Sequence, residues 1–149
     1  MSRPVPHARD DYAHAREIHT RWMDNDAYGH VNNVVYYSFF DTAVNDWLIH
    51  QGLLDVEAGA VIGLVVETGC HYFEPLTYPE KVTAAVRVAH IGNSSVRYEI
   101  GLFGEGRASA AAQGHFVHVY VDRASRRPAA LPPAWRTALE TLRHPGRKA

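Results

Sequence analysis

The sequence predicts an α+β fold in which one long helix is wrapped by a five-stranded, mostly antiparallel sheet, with a short C-terminal helix. Two patterns support this prediction. Apolar residues recur every three or four positions between Asn32 and His50, which is the period of a helix with one wide apolar face. In later segments apolar and polar residues alternate between short turns, which is typical of antiparallel hairpins. The 149 residues and the 46% hydrophobic content fit a single globular domain.

The N-terminal third contains three kinds of segment. Residues 1–15 show no periodicity and are expected to be flexible. Alternation over residues 17–23 predicts the first strand, and residues 24–29 predict a turn because Asp, Asn and Gly are turn formers. The long helix follows from about residue 32 to residue 50, and Gly52 marks its end.

The rest of the chain predicts the sheet and the last helix. Strands are expected in four segments, which cover residues 60–73, 82–89, 95–102 and about 108–121. Pro132 and Pro133 precede a short helix that ends near Arg143. The predicted domain therefore spans residues 16–143, and residues 144–149 are expected to form a frayed tail.

Composition excludes several classes of function. The formal net charge of -1 does not favour a nucleic-acid partner. No run approaches the roughly 20 apolar residues of a membrane span, and the polar N-terminus lacks a signal-peptide core. Cys70 is the single cysteine and is expected to be a buried thiol. Because no signal peptide or membrane span is predicted, we expect a cytoplasmic protein. The ten histidines show neither H-x-x-x-H nor H-E-x-x-H spacing, so we expect no metal, and no other cofactor is expected.

The segment most informative for chemistry lies where the first strand meets the long helix. Asp24, Asp26, Gly29 and His30 are followed there by Asn32 and Asn33. N–H groups at a helix start lack partners and suit a carbonyl that is becoming an oxyanion. A nearby carboxylate can attack an acyl carbon or draw a proton from water. The alternative is purely structural, because Asp before a helix is very often only a cap.

The wider pattern resembles the 4-hydroxybenzoyl-CoA thioesterase family of hotdog proteins. In that family an aromatic residue precedes D-x-D, two residues, a glycine and a helix start with a tyrosine. The matching residues here are Trp22, Asp24, Asp26, Gly29, Val31 and Tyr36, with Gly-His-Val-Asn-Asn at 29–33. The resemblance continues at Phe73–Leu76, Ile91–Ser95, Tyr98–Glu99, Val119–Asp122, Arg127–Pro128 and Leu131–Pro132, and it covers nearly the whole chain.

This resemblance implies a single hotdog domain that hydrolyses acyl-CoA thioesters. It assigns the catalytic carboxylate to Asp26 and places the backbone N–H that holds the thioester carbonyl at Asn33. It leaves open whether the carboxylate attacks directly or activates water. One departure is the pair Asn32-Asn33, where many relatives have Tyr-His or a similar pair, which argues against a side-chain base at that place.

Further residues are candidates for substrate binding, and each also has a structural interpretation. Gly29, His30, Tyr36, Ser94 and Ser95 are expected near the acyl-CoA, although turn geometry or core packing explains them as well. Guanidinium groups suit the CoA phosphates. The candidate arginines are Arg87, Arg97, Arg123, Arg126 and Arg127, and solvated surface is the alternative for each.

Two other functions are compatible with the sequence. A hotdog enoyl-thioester hydratase would have an Asp and a His in a D-x-x-x-x-H arrangement, and Asp26 to His30 is one residue short of it. A non-catalytic acyl-CoA-binding protein is the second alternative. Whichever function is correct, we expect a homodimer or a homotetramer. Exposed sheet edges are commonly covered by pairing, and the family builds its sites across a dimer.

Overall fold

The computed structural model describes residues 3–143. One antiparallel sheet has the strand order β1-β3-β4-β5-β2. The elements along the chain are β1 (His14–His19), α1 (Asn33–His50), β2 (Val61–Tyr72), β3 (Lys81–Ile91), β4 (Ser95–Phe103), β5 (Ala112–Asp122) and α2 (Pro133–Glu140). The long helix, the five-stranded sheet and the short last helix confirm the predicted α+β hotdog fold.

Helix α1 packs its apolar face against the inner face of the sheet. Its buried residues are Tyr36, Phe39, Phe40, Ala43, Val44, Trp47 and Leu48. The closest approach is at Gly114 on β5, where an added Cβ would lie 2.3 Å from Cε2 of Phe40. Glycine is therefore required at this position for the helix to reach the sheet. On α2, Trp135 completes the core by stacking edge-on against Tyr120 at 4.8 Å between ring centroids.

The first strand differs from its prediction in both bounds. It begins at His14 rather than at residue 17, and Trp22–Asp24 form a 3₁₀ turn instead of the end of the strand. The inward side of β1 carries polar residues, which weakens the alternation expected of a strand with one buried face. Arg16 is one of them, and its guanidinium forms an ion pair with Asp46 of α1 at 2.7 Å.

The segment expected to be flexible includes a stretch with a defined place on the sheet. Residues 3–13, which we call the strap, run along the outer face. Tyr12 is buried there, and Gly101 leaves room for its ring, since an added Cβ would lie 2.8 Å from the ring carbons. The N–H of His7 donates to Gln113, whose Nε2 donates to the carbonyl of Val5. The predicted tail, residues 144–149, lies outside the described residues.

Two further predictions concern Cys70 and membrane insertion. Cys70 is half-buried on β2, and burial raises the pKa of its thiol to about 11. Within residues 3–143, no helix is both long and apolar enough to cross a membrane.

Candidate active site

The loop between β1 and α1 is held in place by Asp24. Its carboxylate is buried and accepts hydrogen bonds from the backbone N–H of Arg21 at 2.7 Å and from the guanidinium of Arg21 at 2.8 and 3.1 Å. Its carbonyl accepts a bond from the N–H of Asn32 at 2.8 Å. Asp24 therefore fixes the distance between the strand end and the helix start, and its carboxylate is fully occupied.

Asp26 lies two residues further along and is much more open. Its N–H donates to the carbonyl of His30 at 2.9 Å, and its carbonyl accepts from the N–H of Gly29 at 3.1 Å, which closes a tight turn. Gly29 has φ +80°, so the turn needs a residue without a Cβ. Oδ1 of Asp26 accepts from the N–H of Tyr28 at 2.8 Å. Oδ2 has no hydrogen-bond partner among the described residues.

The start of α1 leaves one backbone donor open. Asn32 caps the helix, with Oδ1 accepting from the N–H of Val34 at 3.0 Å. The N–H of Asn33, the first helical residue, meets no acceptor within residues 3–143. The carbonyl of Asn33 accepts a hydrogen bond from the hydroxyl of Tyr72 at 3.2 Å. An unpaired N–H with partial positive charge is thus held at a fixed place on the surface.

A cleft of about 290 Å³ opens at this helix start, and we call it the acyl cleft. Its lining residues are His30, Val31, Asn33, Tyr36, Tyr72, Phe73, Glu74 and Pro75. The rings of Tyr36 and Tyr72 meet edge-on at 5.0 Å between centroids. Asp26 is not among the lining residues, but its loop forms the rim beside His30. The cleft is therefore mostly apolar and aromatic, and Asn33 is one of the residues in its wall.

Tyr36 forms the floor of the acyl cleft. Tyr36 is buried, and its hydroxyl accepts a hydrogen bond from the N–H of Leu76 at 3.2 Å. Burial raises the pKa of Tyr36, the bond from Leu76 partly lowers it, and the nearby charges, which include that of Asp26, add to the rise. Tyr36 therefore stays protonated, and the carboxylate of Asp26 lies close enough to affect it.

The opposite wall of the acyl cleft is the segment between β2 and β3. The N–H of Val31 donates to the carbonyl of Leu76 at 2.8 Å, and the hydroxyl of Thr77 donates to the carbonyl of Gly29 at 2.8 Å. Oδ1 of Asn25 accepts from the N–H of Tyr78 at 3.0 Å. These bonds join the two loops, so the turn that carries Asp26 is supported from both sides.

The structure brings together most of the predicted site residues but not the two serines. Asp26, Gly29, His30, Asn33 and Tyr36 all lie in or beside the acyl cleft. Ser94 and Ser95 lie at the turn between β3 and β4. Strand β3 has 11 residues and starts near the acyl cleft, so the turn at its other end lies roughly 33 Å away. Within one chain the serines therefore do not reach the cleft.

Three of the five candidate arginines are engaged in internal contacts. Arg87 is buried, pairs with Glu99 at 2.7 Å and donates to the carbonyl of Asp11. Arg97 forms ion pairs with Glu67 and Glu99, and Arg123 donates to the carbonyls of Asp55, Val56 and Gly59. Expecting Arg87 to bind phosphate was wrong, because a buried guanidinium already satisfied by a carboxylate has no exposed donors. Arg126 and Arg127 are exposed.

Sequence reasoning missed Tyr72 and Phe73 as cleft residues. Tyr72 ends β2, donates to Asn33 and stacks on Tyr36. Burial raises the pKa of its hydroxyl, with a further rise from Cys70. The signal that was available is an aromatic pair at the end of a strand, followed by Pro75. That pattern does not tell which loop the strand end approaches, because the approach depends on the order of strands in the sheet.

Comparison with known proteins places this fold and site in context. The sequence profile of the Thioesterase-like superfamily matches residues 20–139. The PA5185 protein of Pseudomonas aeruginosa strain PAO1 is 52% identical, with a TM-score of 0.92 over 96% of this chain and 100% of that one. A search of curated proteins gave no match.

Two more distant structures share the fold. A 1,4-dihydroxy-2-naphthoyl-CoA thioesterase from Synechocystis is 19% identical, with a TM-score of 0.76 over 84% of this chain and 93% of that one. A DHNA-CoA thioesterase from Staphylococcus aureus is 24% identical, with a TM-score of 0.76 over 85% of this chain and 87% of that one.

The fold and the family together support a thioester hydrolase of the hotdog type. The chain belongs to the Thioesterase-like superfamily. The match is to the superfamily as a whole and does not single out its 4-hydroxybenzoyl-CoA branch.

Proposed function

We propose that the protein hydrolyses an acyl-CoA thioester to a free carboxylic acid and CoA. The observation that carries this proposal is that Asn33, whose backbone N–H is unpaired, lines the acyl cleft beside the turn that carries Asp26. The amide polarises the thioester carbonyl and stabilises the negative charge that develops on its oxygen. The aromatic walls, including Tyr36 and Tyr72, bind the acyl group.

Asp26 supplies the carboxylate, through its free Oδ2. As a general base it takes a proton from water while the water oxygen bonds to the acyl carbon. The carbon–sulfur bond then breaks, and the proton passes from Asp26 to the sulfur, so that CoA leaves as a thiol. As a nucleophile, its oxygen bonds to the acyl carbon while the carbon–sulfur bond breaks, which releases the CoA thiolate and leaves an acyl-enzyme anhydride that water then hydrolyses. Both routes give the same products. A burst of free thiol before the steady state distinguishes the anhydride route.

The test is the variant Asp26→Asn, assayed with a panel of acyl-CoA substrates and a thiol reagent. We expect kcat to fall by roughly 10²–10⁴-fold, the usual contribution of a catalytic base, while the melting temperature stays unchanged. Asp41→Asn is the matched control, since Asp41 is an exposed carboxylate on α1 that contacts Asn45. Turnover of Asp26→Asn close to that of the wild type would remove Asp26 from the mechanism. Loss of the enoyl absorbance of crotonyl-CoA without release of free thiol would instead indicate a hydratase.

We also propose that the active unit is a homodimer formed through β2. This strand is an edge of the sheet, and its middle is unusually apolar for a solvent-facing edge. The exposed fractions of these residues are 39% for Leu64, 50% for Val65 and 60% for Val66. A long apolar edge favours pairing with another strand. Two copies related by a twofold axis pair β2 with β2 antiparallel, which completes both edges.

Antiparallel pairing of β2 has a consequence for the acyl cleft. It brings the Val61 end of β2 in the second chain, together with the turns at that end of the sheet, toward the Tyr72 end of β2 in the first. Ser94 and Ser95 of the partner subunit then lie beside the acyl cleft of the first subunit. We therefore propose that the predicted contacts of these two serines with CoA come from the second copy.

Light scattering tests the dimer. We expect a dimer or a dimer of dimers for the wild type. The double variant Val65→Lys, Val66→Lys should be monomeric and inactive, because like charges then oppose pairing of the two edges. Val56→Lys is the control, since Val56 is 65% exposed and lies outside β2. A wild-type protein that stays monomeric at assay concentration while active contradicts this proposal.

A further inference from the structure

A second groove lies next to the acyl cleft. It has a volume of about 420 Å³ and is lined by Arg3, Pro4, His71, Tyr72 and Phe73, and we call it the strap groove. Tyr72 and Phe73 also line the acyl cleft, so the two cavities adjoin at this aromatic pair. A long ligand whose acyl end occupies the acyl cleft can therefore extend across this pair into the strap groove.

The strap holds its N-terminal end beside this groove. Gln113 of β5 accepts from the N–H of His7 at 2.9 Å and donates to the carbonyl of Val5 at 3.0 Å. The carbonyl of His7 accepts from the N–H of Ala110 at 2.9 Å. Together with the buried ring of Tyr12, these bonds fix residues 5–12 on the sheet. Arg3, two residues before the first of these contacts, is therefore kept near the groove.

The charge of the strap groove favours an anion. Arg3 is exposed and has no ion pair with any residue of the range 3–143, and the groove is lined by no carboxylate. By contrast, Arg107 beside the acyl cleft forms an ion pair with Glu74 at 2.5 Å. The guanidinium donors of Arg3 are therefore available to a ligand.

We propose that the strap groove binds the phosphate-bearing end of the CoA substrate, with Arg3 as the cation that contacts it. The guanidinium fits phosphate oxygens through two parallel N–H donors, and the exposed imidazole of His71 offers a further donor. The proposal rests on the proposed thioesterase function. It makes the strap a specificity element that distinguishes CoA thioesters from thioesters without phosphate.

The test compares Arg3→Gln with the wild type on two substrates that carry the same acyl group. One is the acyl-CoA, and the other is the acyl thioester of N-acetylcysteamine, which has no phosphate. We expect KM for the acyl-CoA to rise about fivefold to tenfold with kcat unchanged, since one charged contact to phosphate is lost. Kinetics on the N-acetylcysteamine thioester should not change. Arg9→Gln is the control, because Arg9 lies on the same strap with its guanidinium over the ring of Phe103.

Three results overturn the inference. They are an unchanged KM for the acyl-CoA in Arg3→Gln, an equal change for both substrates, and an equal effect of Arg9→Gln. If Arg126→Gln or Arg127→Gln raises KM in place of Arg3→Gln, the phosphates bind to those arginines instead. Calorimetric titration of CoA into the wild type and Arg3→Gln separates this inference from the proposed function. Weaker CoA binding by Arg3→Gln supports the groove even if no thioester is hydrolysed.

Discussion

The loops at the two ends of the sheet differ in how many of their polar groups are paired. At the end of the sheet far from the acyl cleft, which we call the far end, Arg136 donates to the carbonyls of Gly92 at 2.7 Å and Asn93 at 3.0 Å. The carbonyl of Ser94 accepts a bond from the N–H of Tyr120 at 2.7 Å. The end that carries the acyl cleft is the near end. At the near end, the N–H of Asn33 and one oxygen of Asp26 have no partner within the described part of the chain. Paired groups stabilise the fold, whereas open groups are available to a ligand.

The same contrast separates two carboxylates that are two positions apart. Asp24 is 1% exposed and both of its carboxylate oxygens accept bonds from Arg21, while the Asp26 side chain accepts one backbone bond and the residue is partly exposed. The near end therefore combines a structural carboxylate with an open one. The difference is one of partners, since both residues have the same chemistry and lie in the same loop.

Replacing each of these carboxylates by alanine should separate their roles most strongly. Asp24→Ala is expected to lower the free energy of unfolding by about 2–3 kcal/mol, because the bonds from Arg21 are lost and a backbone N–H is left without its acceptor. Asp26→Ala should change it by less than about 1 kcal/mol. Urea denaturation measures both. Equal losses in the two variants would mean that Asp26 is also structural, and the contrast within the loop would disappear.

The second prediction concerns the buried polar network toward the far end. The hydroxyls of Tyr98 and Tyr120 lie 2.7 Å apart, and Nδ1 of His118 lies 3.3 Å from that of Tyr120. Nε2 of His118 is buried without a hydrogen-bond partner in the described residues. Burial lowers the pKa of His118 to about 4, so the imidazole is neutral in the folded protein.

This shift makes stability depend on pH in a defined direction. The unfolded state has the ordinary histidine pKa of about 6.5, so it binds a proton between pH 6.5 and about 4 that the folded state does not bind. Stability therefore decreases as the pH falls through this window, and His118 accounts for about 2 kcal/mol between pH 7 and pH 5. Urea denaturation of the wild type and of His118→Gln at both pH values measures it. Other histidines titrate in both proteins, so identical pH slopes would show that His118 is not responsible.

The sequence predicts the fold well because each element has a local pattern. In α1, β3 and β4, the spacing of the apolar residues indicates which face of the element is buried. The strap could not be predicted in this way. Its contacts rely on Gly101 and Gln113, which lie about ninety and a hundred positions further along the chain and carry no sign of their partners.

The candidate site divides along the same line. Asp26, Gly29 and Asn33 belong to one continuous motif, so their proximity follows from their order in the sequence. Tyr72 joins the site through the pairing of β2 with β5, and Ser94 is separated from it by the length of β3. Those two outcomes depend on strand order and direction, which a single sequence does not contain.

The smallest expected effect concerns the hydrogen bond that joins the end of β2 to the start of α1. Tyr72→Phe removes the hydroxyl that donates to the carbonyl of Asn33 but keeps the ring that stacks on Tyr36. The hydroxyl belongs to an exposed residue, so stability should change by less than about 1 kcal/mol.

The amide of Asn33 acts mainly when charge develops on the carbonyl oxygen. A less rigid helix start should therefore lower kcat by about threefold and leave KM nearly unchanged. Steady-state kinetics with one acyl-CoA measure the two constants, and Tyr28→Phe on the exposed side of the loop is the control. If KM rises while kcat is constant, Tyr72 contacts the substrate in its ground state, and the open amide does not depend on β2 for its position.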